Sequence, residues 1–268
     1  MAIFEGDEYL SSSIDRRPKF HLYRPHIALI SGIAYDHINV FPSLEIYEKQ
    51  FEIFINLIEK NGKLFFYEND EVLKKMLENS KNKISKIPYK THNFSIKNQK
   101  TFLNYNGKEI PIHFFGEHNL QNLEGAKKIC MSLGVKEKDF YNSIKNFRGA
   151  NRRLEILKKN ENTNIFWDFA HSPSKLKASV NAVKNQFRNR KLVSCMELHT
   201  FSSLSKNFLK FYKNTMQESD FAFVYFNPET IKHKKLENIK IEEIKNSFAK
   251  KDLKVFTKKN DIFLNNLK

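Results

Sequence analysis

The sequence predicts an α/β protein of two domains, each built on a mostly parallel sheet. Three observations predict it. Short apolar runs, too brief for helices, alternate along the chain with stretches whose apolar residues recur at helical spacing. Strand, helix and strand in that order imply parallel strands joined by right-handed crossovers. The chain has 268 residues, more than a single core usually holds. The polar segment Arg148-Gly149-Ala150-Asn151 supplies a boundary, giving domains 1–150 and 151–268.

In the first domain, Met1 to Phe4 read as the stub of a strand, followed by the acidic cluster Glu5-Gly6-Asp7-Glu8. Three carboxylates so close repel one another, which either water or a Mg²⁺ ion relieves. Ile27 to Ile30 form an apolar run suited to a strand buried on both faces, and Ser31-Gly32 closes it. Asp36 and His37 stand just past its end, where open α/β sheets bind ligands, although capping of the next helix is an equally simple role.

Leu44, Tyr47, Phe51, Phe54, Ile55 and Ile58 recur at helical spacing, with Ser43 placed to cap and Gly62 beyond the end, so a helix is predicted over 44–59 and its aromatics are core. A strand over 63–67 and a helix over 70–79 follow. From Ile87 to Phe115 the chain turns β-like, and Asn106-Gly107 between two apolar runs predicts a hairpin, an antiparallel edge on the parallel sheet. A helix then runs from Gly116 to Leu133, with Gly134 at its C-terminal end. Asn119 and Asn122 share a face of its first turn, where amides either cap the helix or read the edge of a base. A shorter helix spans 138–147.

The second domain opens with Arg152-Arg153, a surface patch or a pair reaching a phosphate. Strands over 154–158 and 164–169, a helix over 174–187, a strand over 192–196, a helix over 204–216, a strand over 221–226, a helix over 241–248, a strand over 253–256 and a helical piece from Asn260 complete it. Asp168, His171, Glu197 and His199 all fall just beyond strand ends, on one edge of that second sheet.

Composition narrows the class. A content of 40% hydrophobic and 13% aromatic residues is enough to fill two cores and excludes a disordered chain. The formal charge of +16 favours an anionic partner, but the lysines are spread out and accompany abundant Asn, Ile and Phe, as an AT-rich coding sequence dictates. A nucleic-acid function is therefore not expected. The two cysteines, Cys130 and Cys195, lie far apart in apolar surroundings without metal-site spacing, which fits a reducing cytoplasm. No apolar run reaches the ~18 to 20 residues needed to span a bilayer, and no secretory signal is present.

Taken in order, Glu5-Gly6-Asp7-Glu8-Tyr9, the segment Ser31 to Phe41, Gly116-Glu117-His118-Asn119, Arg152-Arg153-Leu154-Glu155 and Asp168-Phe169-Ala170-His171-Ser172-Pro173 resemble successive motifs of the Mur ligases. Glu197-Leu198-His199-Thr200-Phe201-Ser202-Ser203 is similar to the signature of one branch. That branch joins the tripeptide L-alanyl-γ-D-glutamyl-meso-diaminopimelate to UDP-N-acetylmuramate in peptidoglycan recycling. The rival branch adds a single L-alanine, and the His-Thr-Phe-Ser-Ser segment speaks against it.

The resemblance implies a partial central ATPase domain followed by a Rossmann-like domain that receives the incoming amine. ATP phosphorylates the muramoyl carboxylate, and the amine attacks the acyl phosphate. By the same resemblance Glu5 and His37 are Mg²⁺ ligands, Asn119 and Asn122 contact adenine, Arg153 meets the nucleotide, and Asp168 bonds its ribose. His37, Arg153 and His171 are the catalytic candidates. His171, Glu197, His199, Thr200 and Ser202 lie toward the muramyl peptide. Phosphoryl transfer needs such charges more than a protein nucleophile.

Two departures qualify this picture. Mur ligases carry a phosphate loop ending Gly-Lys-Thr or Gly-Lys-Ser ahead of the acidic cluster. Here the only Gly-Lys pairs are Gly62-Lys63 and Gly107-Lys108, with Leu57 and Phe102 where the first loop glycine belongs. The expectation is a chain truncated at both ends, inactive as a ligase by itself, with the phosphate loop supplied by a missing N-terminal fragment. Several relatives also use a carbamylated lysine after the Asp-His loop. The segment here reads Lys49-Gln50-Phe51, and no residue is assigned that role.

Overall fold

A computed structural model describes residues 1–258. The helical piece expected from Asn260 lies outside the described residues. The chain forms two compact units, one of Met1–Asn93 with His118–Ile144, the other of Phe94–Glu117 with the chain from Lys145 onward.

In the first unit, a short 3₁₀ turn (Lys19–Leu22) precedes β1 (Ile27–Ile30), α1 (Leu44–Leu57), β2 (Lys63–Tyr67), α2 (Glu71–Asn79) and β3 (Ser85–Tyr89). The three strands are parallel, in the order β1-β2-β3, with Ile27 opposite Lys63 and Phe66 opposite Pro88. Pro88 lacks an amide donor, which suits β3 to the edge of its sheet. The apolar faces of the helices cover the strands, burying Phe54, Ile55, Ile58, Leu73 and Leu77 around Ala28, Ile30 and Leu64. Ser43 caps α1 by accepting from the Ile46 amide, and Asn82 closes its other end by donating to the Ile55 and Ile58 carbonyls at 2.8 and 3.1 Å. Met1 to Phe4 form no strand and are exposed; among the described residues no strand pairs with them.

The unit closes with α3 (Glu117–Ser132) and α4 (Glu137–Ile144). Four polar side chains are buried together there: His92, Glu124, Lys127 and Tyr141. His92 Nε2 lies 2.6 Å from the Tyr141 hydroxyl, and Lys127 Nζ lies 3.0 Å from Glu124 and 3.2 Å from the same hydroxyl. Burial lowers the His92 pKa and also opposes the Lys127 charge, but hydrogen bonds to Glu124 and Tyr141 leave the lysine above its ordinary value.

In the second unit, β4 (Phe94–Lys97), β5 (Lys100–Tyr105) and β6 (Lys108–Ile112) form an antiparallel sheet of their own. The hairpin is where the sequence placed it, with Asn106 and Gly107 both at positive φ (48° and 73°), the requirement of a type I′ turn. The antiparallel strands do not extend the parallel sheet of the first unit as its edge, and they cluster with the second unit.

Next come β7 (Glu155–Lys159) and β8 (Asn164–Trp167), paired with each other, then α5 (Pro173–Gln186) and β9 (Val193–Leu198). A single helical turn, α6 (Lys206–Leu209), runs into a 3₁₀ turn, followed by β10 (Phe221–Phe226), α7 (Pro228–His233), α8 (Ile241–Phe248) and β11 (Lys254–Phe256). The parallel sheet has the order β11-β10-β9. Thus β8 belongs to an antiparallel ribbon and not to the parallel sheet expected for it. The helix expected over 204–216 ends early: Asn214 takes a left-handed φ of 62° and the Thr215 hydroxyl takes the Tyr212 carbonyl. Cys130 is half-buried, and Cys195, exposed on β9, still has its thiol pushed up by partial burial.

Two outcomes test this packing. Because His92 and His21 both have pKa values lowered by burial, the unfolded chain binds more protons at mildly acidic pH. Stability is full above the ordinary histidine value of about 6.5 and falls as pH drops through the folded values. Urea midpoints measured from pH 7.5 to 5.5 decline, and His92→Gln flattens that decline. Secondly, a Cβ on Gly62 meets the Glu59 and His26 carbonyl oxygens at 2.7 and 2.8 Å, so Gly62→Ala destabilises by about 1–3 kcal/mol in urea denaturation.

Candidate functional site

In the first unit the loop that carries Asp36 and His37 leaves the carboxyl end of β1. Gly32 leaves β1 at φ 149°, and Asp70 fixes the loop that follows: its Oδ2 accepts from the Ile33 amide at 2.6 Å and its Oδ1 from the Leu73 amide at 2.9 Å. The Gln121 side chain on α3 donates to the Ser31 carbonyl. The strand-end loop, the start of α2 and the first turns of α3 are thereby tied together. Asn119 on that α3 turn is half-buried and Asn122 is exposed.

His37 adopts a left-handed backbone (φ 55°), and its carbonyl accepts from the Val40 and Phe41 amides at 2.9 Å. Asp36 is buried and its Oδ1 accepts from the His37 amide at 2.7 Å. His37 Nε2 lies 3.2 Å from Glu8 Oε1, so Glu8 is the carboxylate beside the imidazole, while Glu5 is exposed. Asp7 faces elsewhere. It accepts from Lys19 Nζ at 2.7 Å and from the Tyr9 amide at 2.8 Å, contacts that outweigh burial and hold its pKa below the usual carboxylate range. The acidic cluster is thus divided among separate partners.

Among the described residues, no three His, Cys, Asp or Glu side chains are arranged to hold a metal alone. Mg²⁺ does not require such a cage, since it keeps several waters and takes one or two carboxylates together with phosphates. The donor chemistry at Glu5, Glu8 and His37 fits an ion shared with phosphate and does not fit a self-contained metal centre.

In the second unit, Asp168 follows β8 and accepts a hydrogen bond from the Ser179 hydroxyl on α5. Arg152 takes a left-handed φ of 54° and stacks its guanidinium 4.7 Å from the Trp167 ring, while Arg153 is exposed. His171 and His199 come together with Phe169. The two imidazole centroids are 6.2 Å apart, and each Nδ1 lies against the carbonyl two residues earlier, Phe169 at 3.0 Å and Glu197 at 3.2 Å. A carbonyl only accepts, so each Nδ1 carries a proton and the neutral ring presents Nε2 as its acceptor. Glu197 is exposed, Thr200 donates its hydroxyl to Ser203 at 2.9 Å, and Ser202 is buried.

Sequence reasoning missed Glu8, Tyr47 and Ser179 as contributors. Tyr47 was read only as core, and it is buried, with burial and the nearby charges of Glu8 and Asp36 pushing its phenol far above the ordinary range. The available signal was a tyrosine at a buried helical position in a chain with 25 Phe and 10 Tyr. For Ser179 it was a hydroxyl on the apolar face of Leu176, Val180 and Val183. Ser179→Ala removes this hydroxyl donor to Asp168 and lowers stability by about 1 kcal/mol, whereas Ser179→Thr retains it; thermal melts of the two variants distinguish them.

Residues 2–130 match the family described as the Mur ligase middle domain. The chain is 26% identical over 209 residues to the UDP-N-acetylmuramate–L-alanine ligase of Clostridium acetobutylicum, an alignment covering 74% of this chain and 45% of that protein. The chain spans about half the length of the curated relatives it matches. Among solved structures, a murein peptide ligase from Psychrobacter arcticus aligns over 97% of this chain and 55% of its own, with TM-score 0.61 and 19% identity. The MurF ligase from Thermotoga maritima in complex with ADP aligns over 92% and 56%, with TM-score 0.65 and 11% identity. At such identities the structural likeness establishes the fold.

Proposed function

We propose that this chain, which belongs to the Mur ligase family through its residues 2–130, serves an ATP-dependent amide-bond ligase acting on UDP-N-acetylmuramate. The observation that carries the reading is the polar cluster at the carboxyl end of β1, where Glu8, Asp36 and His37 are held in the very segment that matches the family. The presence of ADP in the T. maritima ligase supports ATP as the nucleotide.

Asn119 and Asn122 contact the adenine, Asp168 bonds the ribose, and Arg153 meets the phosphates. Glu5 and His37 are the residues that would hold Mg²⁺, which when bound neutralises phosphate charge. The muramoyl carboxylate takes the γ-phosphoryl group and becomes an acyl phosphate. The incoming amine then displaces phosphate, with His171 and His199 offering Nε2 acceptors to its N–H groups. Similarity to the C. acetobutylicum L-alanine ligase supports L-alanine as the incoming amine, and the tripeptide is the alternative. The reading also places the protein in the cytoplasm, where these precursors are made; among the described residues no helix is long and apolar enough to cross a membrane.

A second reading, a nucleotide- or peptide-binding module without turnover, is favoured by one feature: the 268 residues hold no Gly-Lys-Thr or Gly-Lys-Ser loop. Expressed alone, they give no ligation and bind ATP weakly by calorimetry; detectable ligation sinks that expectation. Joined behind the phosphate-loop portion of the C. acetobutylicum ligase, the chain restores ATP-dependent coupling of L-alanine to UDP-N-acetylmuramate in preference to the tripeptide. In that assay Arg153→Ala lowers turnover by about 10³-fold or more, as removal of an arginine from phosphoryl-transfer sites does. An unchanged rate removes Arg153 from the mechanism, and preference for tripeptide reverses the choice of amine.

A further inference from the structure

The antiparallel sheet and the C-terminal end of α5 both belong to the second unit, and between them lies a cavity of about 560 Å³. That volume falls within the ~300–1,000 Å³ of ordinary ligand pockets. None of the residues assigned to the ligase reaction lines it.

One face of the sheet supplies a wall. Phe94 stands opposite Leu103 and Ile96 opposite Thr101, so these four side chains share that face. The Thr101 hydroxyl donates to Gln186 Oε1 at 3.0 Å, which turns the face toward α5. Gln186 is buried, 5% exposed, and its Nε2 donates to the Gln99 carbonyl at 2.9 Å. A single amide therefore ties both the sheet and the β4–β5 turn to the helix end. The turn needs the tie. Asn98 and Gln99 take φ values of 49° and 61°, a left-handed conformation that glutamine keeps only where its surroundings hold it.

The lining is mixed. Phe94, Ile96 and Phe187 offer apolar surface, with Phe94 36% exposed. Asn98 on the turn side and Asn185, Arg188 and Asn189 on the helix side surround that surface, and among the described residues no hydrogen bond or ion pair engages these four side chains. An amide presents a donor and an acceptor side by side, as a hydroxyl does in one group, so amides pair readily with hydroxyl-rich ligands. No carboxylate or lysine lines the cavity. The end of α5 carries about half a negative charge, which offsets part of the Arg188 charge. Neither a strongly cationic nor a strongly anionic ligand is called for. A sugar ring fits both features, with C–H groups for the electron-rich aromatic faces and a rim of hydroxyls for the amides. A flat base, read along one edge, leaves the amides of the opposite wall unpaired.

We propose that this cavity binds a neutral disaccharide, with Phe94 and Phe187 against the ring faces and Asn98, Asn185, Arg188 and Asn189 bonded to the hydroxyls. The site is independent of the ligase reading, and Gln186 is its scaffold, holding the turn in place without touching the sugar.

The experiment uses the 268-residue chain labelled with ¹⁵N, with the Asn98 and Asn189 side-chain amide signals identified by their loss in Asn98→Ala and Asn189→Ala. Cellobiose, maltose and N,N′-diacetylchitobiose are titrated separately to millimolar concentrations, beside uridine and citrate as a base-bearing and an anionic probe. At least one disaccharide shifts both side-chain signals and saturates. Asn98→Ala and Asn189→Ala, at exposed positions, leave the backbone spectrum of β9 and β10 unchanged and each weaken that disaccharide about fivefold, as loss of one neutral hydrogen bond does. Gln186→Ala, which frees the turn, abolishes the shifts. Silence of all three disaccharides overturns the proposal. Shifts produced by uridine or citrate and not by the sugars overturn the ligand class, and a sugar bound equally well by both asparagine variants overturns the location.

Discussion

The Asp70 carboxylate is the constraint on which the first unit's site depends. One oxygen takes the Ile33 amide, just past β1, and the other takes the Leu73 amide in the first turn of α2. Hydrogen bonds to a charged acceptor contribute about 1.5–3 kcal/mol each. More important is what they join. The loop over 31–41 leaves the sheet through a glycine at φ 149° and holds no regular secondary structure of its own, so nothing in its backbone ladder decides its course. Asp70 decides it, and the Gln121 amide on the Ser31 carbonyl brings α3 to the same point. From that anchor the chain can place Asp36 and His37 beyond the strand end with a left-handed residue at 37, a conformation that tolerates histidine better than bulky or β-branched residues.

Charge balance in this site is local. Three carboxylates in four residues suggested a repulsion that either water or a Mg²⁺ ion relieves. The structure gives two of them separate partners, Lys19 for Asp7 and His37 for Glu8. Among the described residues these partners, and not a cage of three metal-binding side chains, offset the repulsion. The same economy governs the buried group of His92, Glu124, Lys127 and Tyr141, where each charge is matched within hydrogen-bond reach. A buried ion pair stabilises little by itself, but removal of one partner leaves the other exposed to the full cost of burial. Such a network fixes the register of α3 against α4, and α3 carries Asn119 and Asn122.

Local patterns in the chain reveal its elements more faithfully than their pairing. The bounds of β2, β10 and α8 follow directly from apolar runs and helical spacing, and the Asn106-Gly107 turn from its chemistry. Pairing is a tertiary property. Nothing in Phe94 to Ile112 states that its three strands make a separate sheet, and nothing in Ile165 to Trp167 states that β8 pairs with β7 instead of joining β9. The site divides in the same way. Asp36, His37 and Asp168 follow strands, as their sequence positions predict, but the strand before Asp168 lies in the ribbon with β7 and not in the parallel sheet. Glu8 was not distinguishable from Glu5, since which carboxylate turns inward depends on how 5–9 lies against 18–20, where Phe20 donates its amide to the Asp7 carbonyl at 3.0 Å. Tyr47 was hidden because the core and the site claim the same side chain.

The segment over 197–203 shows how a sequence signature and a chemical role come apart. As a string it suggested residues reading a peptide. In the fold, the Thr200 and Ser203 hydroxyls bond each other and each other's backbone at 2.9 to 3.2 Å, and Ser202 and Ser203 are buried. These groups close the turn between β9 and α6 and present His199, whose Nδ1 is held by the Glu197 carbonyl. His171, after β8, is held in the same way by Phe169. Two imidazoles with the same fixed tautomer, near an exposed carboxylate at Glu197, offer acceptors and negative charge to a cationic amine.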